Sequence, residues 1–220
     1  MRCRRSHSLS FDPILFRGGS VVVLVALWLL ASFTVTAQEP PLDAPPKPTP
    51  LSKAIGKIRK LAGEGKLEEA GKVMADLVKE HPKDRNILAA AADVEQRLAF
   101  MYSDGKNDRM AANPHFLASA RYYRQLEKMF KGNLPFRLKE FAAIAIYNEA
   151  CSYSLDGKFD EALKSLKESI ERGFTDAENT ENDSDFEPLR KSEKHKAKFE
   201  ELLELMKKKA EQKARPRIRT

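Results

Sequence analysis

The sequence predicts an all-α fold, and three observations carry that expectation. After Pro50, apolar residues recur at three- and four-residue steps along almost the whole chain, the period of one helix face. Chain breakers are scarce: of 220 residues only 10 are Gly and 12 Pro, and six of the prolines lie between Pro40 and Pro50. No stretch alternates apolar and polar residues long enough to make a strand. The composition, 42% hydrophobic and 32% charged, provides material for a core and excludes a chain disordered throughout. The two cysteines, Cys3 and Cys151, exclude a disulfide framework and a multi-cysteine zinc site.

Taken in order, residues 1–37 have the layout of an export signal. Arg2, Arg4, Arg5 and Arg17 make a positive start, an uncharged run of 20 residues covers 18–37, and Val35-Thr36-Ala37 places small or short residues before a cut after Ala37. The same run is about long enough to span a bilayer, so an uncleaved anchor stands beside cleavage. Membrane association through residues 18–37 belongs to that second case. Either way the domain that follows is expected to be exported, periplasmic or extracellular. Without residues 1–37 the net charge falls from +7 to +4 and Cys151 is the remaining cysteine. Residues 38–50, QEPPLDAPPKPTP, form a proline-rich linker that holds neither helix nor sheet and acts as a semi-rigid spacer.

From 51 to 206 the stripes define helices: Leu51, Ala54, Ile58 and Leu61; Leu67, Ala70, Met74 and Leu77; Ile87, Ala91, Val94 and Leu98; Phe116, Ala120 and Tyr123. Punctuation fits these limits. Pro82 closes one helix and Asp84 caps the next, Asn113-Pro114 is expected to open a helix, and Gly132 and Gly173 mark helix ends.

An internal repeat is superimposed on this pattern. Gly65-Lys66-Leu67-Glu68-Glu69-Ala70 returns as Gly157-Lys158-Phe159-Asp160-Glu161-Ala162, each copy between two apolar stripes. The glycine lets a helix end and the chain reverse, Leu67 or Phe159 packs into the seam, and Ala70 or Ala162 lets the helices approach. Ala150 and Tyr153 precede the second copy at matching packing positions. On these residues the chain resembles the tetratricopeptide-repeat (TPR) family, built from 34-residue helix–turn–helix units. Ser169 and Phe174 depart from the family's usual alanine and proline. The 92 residues between the two glycines leave room for a degenerate pair near 85–131. The tail, Asp183 to Arg190 leading into Phe199, Leu202, Leu203 and Met206, looks like the ending of many exported bacterial repeat proteins. A terminal helix there would cover the exposed face of the last pair. The resemblance thus implies an α-solenoid of helix–turn–helix pairs with a C-terminal capping helix.

Reactive constellations are hard to find, and no catalytic residue, metal ligand set or cofactor is expected. His81, His115 and His195 lack any two-ligand spacing. His81 is expected at a helix end and His195 on the solvated surface. The acidic cluster Glu178, Glu181, Asp183, Asp185 and Glu187 fails the calcium-loop pattern and is expected to be a polar helix entry. Cys151 is expected to be a small apolar residue inside a helix, with a reactive thiol or pairing with another chain as the alternatives. Residues 207–220 form a basic tail, with seven Lys or Arg against Glu211. It is expected to fray in solvent, with binding of anionic lipid or envelope polymer as the functional alternative. Export argues against nucleic acid.

Recognition by shape remains. The family resemblance implies that the first helix of each pair lines a groove, at Ile55 and Arg59 in the first pair and at Ile144, Tyr147, Asn148 and Cys151 in the last. A carboxylate clamp of the kind some relatives use is not expected, because Ile55 and Arg59 stand where Lys and Asn would be needed. The expected function is non-catalytic protein–protein interaction, an envelope scaffold or assembly adaptor for an unknown protein partner. An accessory subunit of an exported enzyme is the further alternative.

Overall fold

The computed structural model describes residues 50–214. The export segment, the linker up to residue 49, and residues 215–220 of the basic tail lie outside the described residues. Everything described is helix or turn, with no strand among the described residues.

Helix α1 (Pro50–Gly63) reverses through three residues into α2 (Leu67–Glu80). At the reversal Gly65 has φ +77° and the Lys66 N–H donates to the Leu61 carbonyl at 2.9 Å. The second hinge repeats this. Between α5 (Phe136–Leu155) and α6 (Phe159–Glu171), Gly157 has φ +74° and the Lys158 N–H donates to the Tyr153 carbonyl at 2.8 Å. A left-handed glycine with a six-residue backward bond closes both helices. Ala70 and Ala162 are fully buried in the seams, and Leu67 and Phe159 are half-buried beside them.

Between these hairpins lies a third pair, where the sequence left room for one. Helix α3 (Arg85–Phe100) is capped by Asp84, whose carboxylate accepts from the N–H groups of Asn86 at 2.8 Å and Ile87 at 3.1 Å. It widens into a π-helical turn at Met101–Gly105 before α4 (Arg109–Met129). The α3–α4 seam is built from small residues: Ala92, Ala99, Ala112, Ser119 and Ala120 are fully buried. The expected helix start at Asn113-Pro114 is corrected. Asp108 is the cap, accepting from the Ala111 N–H at 3.0 Å, and Pro114 sits inside the helix, where its ring removes the bond to Met110. Asn113 instead donates its side-chain amide to Asp156 at the far end of α5, at 2.9 Å.

After α6 come α7 (Ala177–Asn182), a 3₁₀ turn at Ser184–Phe186, α8 (Glu187–Lys191) and the long α9 (Glu193–Ala214). Helix α9 runs past Met206 to Ala214, so the first eight residues of the basic tail are helical rather than frayed. It lies along α6: Lys194 is 3.9 Å from Asp160 at one end, and Lys209 donates to the Ile170 carbonyl at 3.3 Å at the other.

The apolar side chains do not converge on one centre. One cluster joins α1, α2 and α3 through Ile58, Met74, Ile87 and Leu98. A second joins α3, α4 and α5 through Leu88, Tyr123, Leu126 and Ala142. A third joins α5, α6 and the C-terminal elements through Ala150, Leu166, Phe186 and Phe199. Each helix therefore buries its stripe mainly on its neighbours in sequence.

Candidate functional site

Helix α5 has no charged residue between Phe141 and Leu155 except Glu149, and a helix apolar or small all round belongs in an interior. The structure places it there, and this corrects part of the expected groove. Tyr147 and Cys151 are each 3% exposed, and Asn148 is buried with them. Tyr147 and Cys151 are covered by the chain's own C-terminal part, Phe174 after α6 and the segment between α7 and α8. The Tyr147 ring stacks on Phe174 at 4.3 Å and meets Phe186 edge-on at 5.7 Å. Ile144 and Ile55 are half-buried, and Arg59 is exposed on α1. The six groove candidates do not form one accessible surface.

The covering segment brings together polar groups that sequence spacing did not join. The Tyr147 hydroxyl donates to Asp183 Oδ2 at 2.7 Å, and Cys151 Sγ lies 3.8 Å from the same oxygen. Asp183 Oδ1 accepts the Asp185 N–H at 3.0 Å, and the Asp183 carbonyl accepts from Arg190 at 2.8 Å. Asp185 in turn receives Arg109, from the start of α4, at 3.2 Å. Asp183 caps the 3₁₀ turn, as a polar helix entry would, and both Asp183 and Asp185 are buried as tie points. The sequence signal was an acidic pair directly before a buried Phe186 rather than before a polar helix face.

Ligand atoms of Cys151, Asp183 and Asp185 lie within 4.8 Å of one another, a spacing that a metal ion could bridge. Both Asp183 oxygens and one Asp185 oxygen already accept hydrogen bonds or an ion pair. Tyr147 and Arg109 thus already serve as partners of these carboxylates. The arrangement acts as a polar lock fastening the C-terminal segment to α5 and α4.

Burial first, and then the neighbouring Asp183 carboxylate, push the Asp185 carboxyl up to about 6 from its ordinary 3.8, against the pull of Arg109. The fold therefore favours the protonated form. That contribution is fully present below about pH 4 and is lost as pH rises through about 6. Asp185→Asn, which carries no charge, should flatten this dependence, removing about 2 kcal/mol of stability difference between pH 4.5 and 7.5. Urea midpoints of the two proteins at both pH values measure it, and equal pH slopes would contradict the lock's electrostatics.

A second polar cluster holds α4, α5 and α6. The Arg124 guanidinium makes paired contacts with Glu149 and Glu168, and Arg172 meets Glu127 and Glu168. Glu149 also accepts the Ser165 hydroxyl at 2.8 Å. Burial opposes the Glu168 charge, yet Arg124 and Arg172 hold its carboxyl below the usual range. Glu168 and Arg172 are four residues apart at the end of α6, a spacing the sequence shows. Arg124, Glu127 and Glu149 come from other helices, and no spacing rule joins them to that pair.

The histidines are placed apart. His81 ends α2, as expected. His115 contacts Glu95 at 2.6 Å and stacks on Tyr102. His195 is corrected from a solvated residue: its side chain is 13% exposed, packs against Phe159 at 5.3 Å and meets the Ser192 hydroxyl at 2.7 Å.

No helix among the described residues is long and apolar enough to cross a membrane. Comparison with protein-family models, with curated proteins and with solved structures found no match to the chain.

Proposed function

We propose that the chain is a non-catalytic protein-interaction module, a TPR-like stack of helix hairpins acting as an exported scaffold or assembly adaptor. The observation that carries the reading is the identical closure of the two hairpins at Gly65 and Gly157, each a left-handed glycine with the same backward hydrogen bond. Equal hinges give equal helix pairs, and equal pairs with the α3–α4 pair between them stack in one direction. Such a stack offers an extended face for a partner peptide or helix.

Because the last pair is covered by the chain's own 183–186 segment, binding on this reading falls to the first pair. Ile55 is half-buried and Arg59 exposed on α1, an apolar and a cationic contact one helical turn apart. A partner with an acidic residue beside an apolar one fits them.

The test is cross-linking in an envelope extract with the full chain, its Ile55→Glu/Arg59→Glu variant, and a Lys164→Glu control at an exposed position of α6. The expected result is at least one protein captured by the parent and the control and lost from the α1 variant, with helical content unchanged. Identical capture by all three proteins would sink the reading.

A further inference from the structure

The ends of the helices differ in charge, and one end carries an aromatic ring exposed to solvent. Phe136, the first residue of α5, is 71% exposed. It rims a shallow depression of about 320 Å³ together with Lys139, Lys209 and Lys213, with Gly173 in its wall. Three chain segments meet there: the start of α5, the end of α6, and the last turns of α9. Lys209 bonds the final carbonyl region of α6 at 3.3 Å, which fixes α9 against this end. Arg137, in the first turn of α5, and Lys131, on the turn before it, are exposed. Among the described residues Lys131, Arg137, Lys139 and Lys213 meet no carboxylate, unlike the lysines at the opposite end, where Lys66, Lys106, Lys158 and Lys194 all do. Glu140 is the acid in the depression, and Arg172 there is already held by Glu127 and Glu168. The sequence continues from Lys213 with Arg215, Arg217 and Arg219.

We infer that this end of the domain docks on an anionic membrane surface, with Phe136 entering the headgroup boundary and the surrounding lysines and arginines meeting lipid phosphates. Long basic side chains around a projecting aromatic suit an interface where one part is apolar and the rest charged. A bilayer asks for charge and a protruding apolar group but no shaped pocket, and the depression here is shallow and open. Each Lys or Arg near an anionic leaflet contributes about fivefold in partitioning. The inference stands apart from the adaptor reading, because it uses the opposite ends of α5 and α9 from the 183–186 lock and none of α1.

The test reads position 136 itself, so that residues 18–37 do not confuse it. Full-length protein carrying Trp28→Phe and Phe136→Trp has one tryptophan, at the proposed contact. With vesicles of phosphatidylcholine and phosphatidylglycerol at 70:30, its emission should shift to the blue. The shift should be absent with phosphatidylcholine alone and should reverse at 0.5 M salt. Adding Lys139→Gln and Lys213→Gln should weaken partitioning roughly 30-fold, with thermal unfolding unchanged. No shift with the anionic vesicles overturns the inference, as does an equal shift with both lipids. A shift with poly-L-glutamate but not with the vesicles also overturns it and assigns the face to an acidic polypeptide.

Discussion

Arg124→Met is expected to destabilise the domain by about 3–5 kcal/mol at neutral pH, the cost of stranding a buried carboxylate. Glu149 is 3% exposed, and without Arg124 its remaining neutral partner is the Ser165 hydroxyl. Glu168 suffers less, because Arg172 stays with it. The size of the effect rests on one carboxylate being held where water does not reach. The loss should therefore shrink in Arg124→Met/Glu149→Gln, which removes the stranded charge and keeps the side-chain length. Urea unfolding of the parent, the single and the double variant gives the three values. A single variant losing under about 1 kcal/mol, or a double variant no more stable than the single, would show that the cluster is solvated and of little consequence.

Phe186→Ala should cost a similar 3–5 kcal/mol, for a different reason. Phe186 is fully buried and touches rings on two helices, Tyr147 on α5 and Phe199 on α9 at 5.3 Å. Its removal opens a cavity where the C-terminal segment meets α5, and the surrounding aromatic rings are too rigid to close it. The local consequence is separable from the global one. With Asp183 loosened, the Cys151 thiol becomes reachable. In a Cys3→Ser background, its reaction with a disulfide reagent should be slow in the parent and at least tenfold faster in Phe186→Ala under conditions where both remain folded. Equal rates with equal stability would mean that the segment does not cover α5.

The sequence made the hairpins legible where one residue type has one physical use. A glycine closing a helix in the left-handed region is such a case, and Gly65 and Gly157 were found from their flanking hexapeptides. Asp84 before an apolar stripe is another. The Asn113-Pro114 boundary misled because Pro114 satisfies the local signal for a first turn, while Asp108, five residues earlier, also satisfies the signal for a cap. The contest was decided by tertiary packing, with Ala112 buried against α3 and Asn113 drawn to Asp156. The groove residues failed for a deeper reason. Periodicity identifies the stripe facing a neighbouring helix but not a second layer laid over the other side. Helix α5 did carry that information in its almost uncharged run from Phe141 to Leu155. The buried clusters around Asp183 and Arg124 join residues from separate helices, and no spacing along one chain announces them.

Helix α1 contributes a single fully buried side chain, Ile58, among the described residues, whereas α5 is enclosed on nearly every side. On the proposed reading the recognition residues, Ile55 and Arg59, ride on the most weakly anchored of the long helices, which should open locally more often than the rest. A partner seated on α1 would spend part of its binding free energy suppressing that fraying, which favours quick exchange over a long-lived complex.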